Sequence, residues 1–178
     1  KAYLTGTGNL NLQATTRGTD NGQWLKNLEG QMALELRNGR IENIDVVGQL
    51  RRGYAQLRAL DPGTAPAEGT EFTEIKAGMA MQGPIWRNED LLLTSPLLRM
   101  NGKGQVDVSR QQLDFQVLAT LLGTGVASGD RLLGNLVDMP VPIRIDGPWA
   151  SPSVRPDLKA IAEGKARERL EKEKDKLE

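Results

Sequence analysis

The stretch FTEIKAGMAMQGPIWRNEDLLLTSPLLRMNGKGQVDVSRQQLDFQVLA, running from Phe72 to Ala119, decides the fold. Apolar residues recur along it at alternate positions: Ala77, Met79 and Met81, then Leu91 and Leu93, then Leu98 and Met100, then Val106 and Val108, then Leu113, Phe115, Val117 and Ala119. Lys76, Gln82, Arg99, Asn101, Lys103, Gln105, Asp107, Asp114 and Gln116 fill the positions between. A period of two sends successive side chains to opposite faces of a pleated strand. The stretch therefore predicts an antiparallel sheet with one apolar and one wet face. Turn-forming residues at Gly83-Pro84, Asn88, Ser95-Pro96 and Ser109 to Gln112 divide it into a meander of four strands.

Working outward, the same period predicts a first strand from about Tyr3 to Thr16, with Leu4, Leu10, Leu12 and Ala14 on one face. Gly6 and Gly8 share that face, where another group approaches the sheet closely. Thr19 or Asp20 is placed to cap a short helix carrying Trp24, Leu25 and Leu28 and ending at Gly30. Met32, Leu34 and Leu36 resume the strand pattern, and Asn38-Gly39 reads as a type I′ hairpin turn, with a return strand from Arg40 to about Asp45. Asp45 then caps a helix striped by Val47, Leu50, Tyr54 and Leu57, with Arg51, Arg52 and Arg58 on its solvated side. Asp61 to Thr70 has no periodicity and reads as a mobile loop.

Downstream, Gly123-Thr-Gly125 leads into a third helix with Leu132, Leu133, Leu136 and Val137. Pro140 and Pro142 end it, and Val141, Ile143 and Ile145 form a last strand, which its prolines assign to an edge. Gly147 to Pro152 reads as a turn. From Asp157 the chain is helical and, beyond Gly164, almost wholly charged, so only Leu158, Ile161 and Ala162 can dock. The expected fold is α+β: a large curved antiparallel sheet of about seven to eight strands with one apolar face, short helices packed on it, and a charged C-terminal helix. The domain covers residues 1–158 and the helical tail 159–178.

Composition narrows function. Lysine plus arginine (23) balance aspartate plus glutamate (23), so no net field draws nucleic acid. There is no histidine and no cysteine, which removes the commonest general base, the commonest transition-metal ligand, thiolate sites and disulfides. Ser95, Ser109, Ser128, Ser151 and Ser153 lie in predicted turns without a lysine partner, and the aspartates are dispersed without a calcium-loop pattern. Gly123-Thr-Gly125 lacks the rest of any phosphate-loop motif. The expectation is a non-enzyme without cofactor or metal. The uncharged run between Phe115 and Asp130 falls short of the ~20 apolar residues of a membrane span. Residue 1 is Lys, and a targeting segment is expected upstream.

Residues Phe72 to Ala77, Asp90-Leu-Leu-Leu-Thr-Ser-Pro-Leu-Leu-Arg-Met-Asn-Gly-Lys-Gly-Gln-Val-Asp-Val108, Leu113-Asp-Phe115 and Val141-Pro-Ile-Arg-Ile-Asp-Gly-Pro-Trp-Ala-Ser-Pro152 resemble the C-terminal region of the AsmA family. Leu4 to Leu10, Thr16-Arg-Gly18, Leu28-Glu-Gly30 and Asn38-Gly39 through Ile44-Asp45 are similar to its preceding segment, so the resemblance spans about residues 2 to 158. It implies a protein anchored in the inner membrane of a Gram-negative bacterium upstream of this segment, with the remainder in the periplasm. It also implies outer-membrane assembly and carriage of phospholipids between the two membranes along elongated grooves. The family has no catalytic residues to transfer. Gly102, Gly104, Pro96, Asp90 and Pro152 match its turn and glycine pattern and are read as structural.

The apolar sheet face then has two readings: core packed beneath helices, or a groove for acyl chains lined by Met79, Met81, Leu91, Leu93, Leu98 and Met100. In the groove reading, Leu93→Lys or Met100→Lys impairs lipid handling while the domain stays folded. The other functional reading is a closed interaction or capping module that docks an envelope protein through a sheet edge or the C-terminal helix.

Overall fold

A computed structural model describes residues 4–42, 44–63, 69–124, 126 and 130–174, the side chains of 168–170 and 172–174 excepted. Among the described residues, eight strands follow in chain order, each antiparallel to the one before: β1 (Leu4–Thr15), β2 (Glu29–Glu42), β3 (Gly69–Gln82), β4 (Ile85–Thr94), β5 (Leu98–Asp107), β6 (Gln112–Leu121), β7 (Val141–Pro148) and β8 (Ser153–Pro156). The sheet is an open meander whose edges are β1 and β8. Helices α1 (Asn21–Lys26), α2 (Val46–Arg58), α3 (Arg131–Gly134) and α4 (Leu158–Lys174) occupy the connections and the C-terminal end. The expected α+β class holds, and the meander expected in 72–119 is β3 to β6.

Side-chain alternation in the strands and the caps on the helices explain most of this. Asp20 accepts a hydrogen bond from Gln23 N at 2.9 Å and starts α1, while Asp45 accepts from Gly48 N at 2.8 Å and starts α2. Ala59, at φ 52°, ends α2 in the left-handed conformation. Val46, Leu50, Tyr54 and Ala55 turn the apolar side of α2 onto the sheet. One cross-strand row beneath the helices runs Leu36, Ile75, Leu93, Met100, Ala119 and Val141 through six neighbouring strands. Leu121, Leu133, Leu136, Ile143 and Ile161 complete the core around it. Gly102 and Gly104 are required by close approach, since a Cβ on either would stand 2.4 Å from Val117 Cγ1 or 2.5 Å from Phe115 Cγ.

Several expectations are corrected. Asn38-Gly39 is not a hairpin: Asn38, at φ 51°, and Gly39 stand together opposite Gly6, a β-bulge, and β2 runs on to Glu42 paired with both neighbours. Positive φ at an Asn serves a bulge as well as a turn, and the twelve residues of β1 need a partner of that length. Asn88 does not end a strand but lies buried within β4. Helix α1 ends at Lys26, and Gly30 belongs to β2. Strand β7 is internal, with β8 added outside it. Its Pro142 loses no ladder bond, because β8 pairs only from Ile143 onward and the Pro142 carbonyl accepts from Asp157 N at 2.9 Å. Arg51 does not face solvent freely: its Nη2 lies 2.5 Å from Asp130, the N-cap of α3, and ties the two helices together. Of the loop expected at 61–70, β3 takes Gly69 and Thr70, and residues 64–68 lie outside the described residues, as do Gly125 and Ser128 of the later connection. Helix α4 docks at its start through buried Ile161, with Gly164 against Met139.

Candidate functional site

The apolar face divides into a covered and an uncovered part, and a second bulge helps set the boundary. Between β3 and β4 the register slips from Lys76 opposite Leu92 to Ala80 opposite Arg87, leaving one extra residue in β4 at 89–90. Gly78 loses its backbone partners there, and side chains replace them. Asp90 Oδ1 accepts from Gly78 N at 2.7 Å, and Asn88 Nδ2 donates to Gly78 O at 2.7 Å and to Asp90 Oδ1 at 2.8 Å. Asn88 Oδ1 accepts from Leu91 N at 3.0 Å. A buried polar side chain is tolerated when its hydrogen bonds are made, and those of Asn88 are. The extra residue reverses the alternation, so even-numbered Trp86 and odd-numbered Leu91 and Leu93 share one face.

On the covered side, beneath α2, α3 and α4, lie β4 to β8 and the adjoining parts of β3 and β2, the latter through Leu36 and Ile41. On the uncovered side, the rows Leu10–Leu34–Ala77 and Leu12–Met32–Met79 cross β1, β2 and β3. Leu10 is 57% and Leu12 56% exposed, Leu4 is exposed further along β1, and Met32, Leu34, Ala77 and Met79 are half-buried. Strand β1, LTGTGNLNLQAT, has no charged residue and no proline, and every position in it is exposed.

The six groove candidates fall on both sides of this boundary. Met81, Leu93, Leu98 and Met100 are core residues, none more than 3% exposed. Leu91 is half-buried against the core, and Met79 is half-buried in the uncovered rows. The uncovered lining comes chiefly from Leu4, Leu10, Leu12, Met32 and Leu34, which alternation had assigned to the apolar face without marking them as the exposed part of it.

The wet face carries hollows on either side of the Glu89-Asp90 bulge. One of about 750 Å³ has Leu92, Leu118 and Pro142 in its floor and Lys103 and Arg144 at its side. Arg144 contacts Asp114 at 2.9 Å and Asp146 at 3.0 Å; the hydrogen bond to Asp114, then the charges of Asp114 and Asp146, push its pKa up. Among the described residues, no three acidic side chains gather as a metal site. Ser95 and Ser109 serve turns: Ser95 Oγ accepts from Leu98 N at 3.0 Å, and Ser109 Oγ donates to Asp107 at 2.6 Å.

A model of the AsmA family matches residues 1–91, which run from before β1 into β4. The chain belongs to the AsmA family. No curated protein and no solved structure matches it. The AsmA match takes in all three uncovered strands together with α2. AsmA is a bacterial envelope family. No helix among the described residues is long and apolar enough to cross a membrane.

Proposed function

We propose that this AsmA-family chain is a non-enzymatic periplasmic domain that handles phospholipid, contacting acyl chains on the uncovered apolar rows of β1, β2 and β3. The observation that carries the reading is the exposure of Leu10 and Leu12 on an uncharged strand beside half-buried Met32, Leu34 and Met79. Exposed leucines in adjoining rows form a contiguous apolar surface of the kind that marks a binding face. Methionine thioethers adapt to acyl chains of varied shape. The covered residues Leu93, Leu98 and Met100 then serve as the rigid support of that surface.

Native mass spectrometry of the gently purified chain, with lipid extraction from the same sample, tests this. Phospholipid retained by the parent chain and lost in Leu12→Lys is the expected result. A clean apo mass for the parent chain refutes it. The second reading, docking of an envelope protein by strand addition, draws on the unpaired edge of β1, which lacks the charges and prolines that usually block such pairing.

A further inference from the structure

The chain has three tryptophans beside two phenylalanines and two tyrosines, and the fold brings all three tryptophans to one end of the sheet. Trp24 is in α1, between β1 and β2; Trp86 follows the β3–β4 turn; Trp149 is in the turn between β7 and β8. Backbone hydrogen bonds lace these connections into one rim. Gly83 N donates to Leu28 O at 2.7 Å, Val108 N to Pro84 O at 2.9 Å, and Trp149 N to Gln111 O at 3.0 Å. The outer tryptophans are the exposed ones, Trp24 at 47% and Trp149 at 38%. They are separated by six strand spacings, roughly 29 Å at ~4.8 Å each.

The rim carries charges of both signs, with Glu29 exposed at the start of β2 beside the cations. Arg17, Lys26 and Arg110 are exposed in these same connections. Asp20 accepts from the backbone Gln23 N, while Asp107 accepts from the Ser109 hydroxyl and from Arg110 N and lies 3.7 Å from Arg110 Nε. Trp24 Nε1 donates to Gly18 O at 2.8 Å, which holds the indole in place while nearly half the residue remains in water. Amphipathic indoles favour the headgroup layer of a bilayer, and adjacent cations favour its anionic lipids. The opposite end of the sheet, built from α2, the 95–97 turn and α3, has no tryptophan.

We propose that this rim seats on the headgroup layer of a phospholipid membrane, with Trp24 and Trp149 as two anchors and the strands rising from the surface. The inference is independent of lipid contact on the uncovered rows. Co-sedimentation with mixed phosphatidylethanolamine and phosphatidylglycerol vesicles tests it, with tryptophan emission read on the same samples. The parent chain should bind with a blue shift, and Trp24→Ala combined with Trp149→Ala should weaken binding by roughly tenfold or more. Lys26→Glu should weaken it several-fold at low salt and little at high salt. If Trp24→Ala disturbs the α1 connection, Trp149→Ala alone should still reduce binding and the blue shift. Absence of vesicle binding by the parent chain, or binding unchanged in Trp149→Ala and in the double variant, overturns the proposal. Leu12→Lys should keep vesicle binding, which separates this inference from the acyl-contact reading.

Discussion

Replacing Met100 by lysine separates support from surface. Met100 lies in the central cross-strand row between Leu93 and Ala119, and it is 3% exposed. A lysine there must be neutralised or hydrated. Holding it neutral at pH 7 costs about 5 kcal/mol from the distance between pH 7 and its ordinary pKa. Lost methionine burial adds about 2 kcal/mol. The combined penalty of about 7 kcal/mol is comparable to the whole stability of a typical domain, ~5–15 kcal/mol. Leu12→Lys, at a position already more than half exposed, forfeits only about 1 kcal/mol by the same area reasoning. Urea unfolding followed by far-ultraviolet circular dichroism should find Leu12→Lys folded with a slightly lowered midpoint, and Met100→Lys largely unfolded or with its midpoint collapsed. Similar midpoints for the two variants would show that α2, α3 and α4 do not seal this row, and the division of the apolar face would fail.

Further outcomes follow from single contacts. Asn88→Ala leaves Gly78 O and Leu91 N without their side-chain partners and should cost about 2–3 kcal/mol, measured as a lowered urea midpoint with faster exchange of the Leu91 amide. Gly104→Ala sets a Cβ 2.4 Å from Asp114 O and 2.5 Å from the Phe115 ring; a loss of about 1–3 kcal/mol is expected, and a neutral result would mean that the β5–β6 pair spreads freely. The Asp107 carboxyl is held below its ordinary pKa first by the Ser109 hydroxyl and then by the Arg110 amide. A depressed folded-state value adds stability that is present above the ordinary aspartate range and is lost as pH falls through the folded value. Ser109→Ala should move the carbon-13 titration of Asp107 upward and shrink that acid-side loss.

Much of the architecture was legible in alternation and caps. The period of two in 72–119 specifies β3 to β6 because each strand must present one face to a core, and Asp20 and Asp45 announce their helices because a short acceptor satisfies free amides at the N-terminus. The bulges were less legible. Asn38-Gly39 offers the same positive φ to a turn or a bulge, and the choice fell to the length of β1, a contact more than thirty residues away in sequence. At Asn88 the change of parity between Trp86 and Leu91 was the available signal, but the hydrogen bonds that make it a bulge come from Gly78 on another strand.

By itself, the sequence determined that the chain forms a one-sided antiparallel sheet, lacks the side chains of histidine and cysteine chemistry, and bears the pattern of the AsmA family. Only the tertiary structure decided which part of the apolar face is core. Leu12 and Met100 obey the same alternation, and hydrophobicity reports that a residue leaves water against something without saying what. Helices α2, α3 and α4 supply that cover for Met100, whereas Leu12 lies on an edge strand they do not reach. The gathering of Trp24, Trp86 and Trp149 at one end likewise follows from an antiparallel meander, which returns alternate turns to the same rim however far apart they lie in the chain.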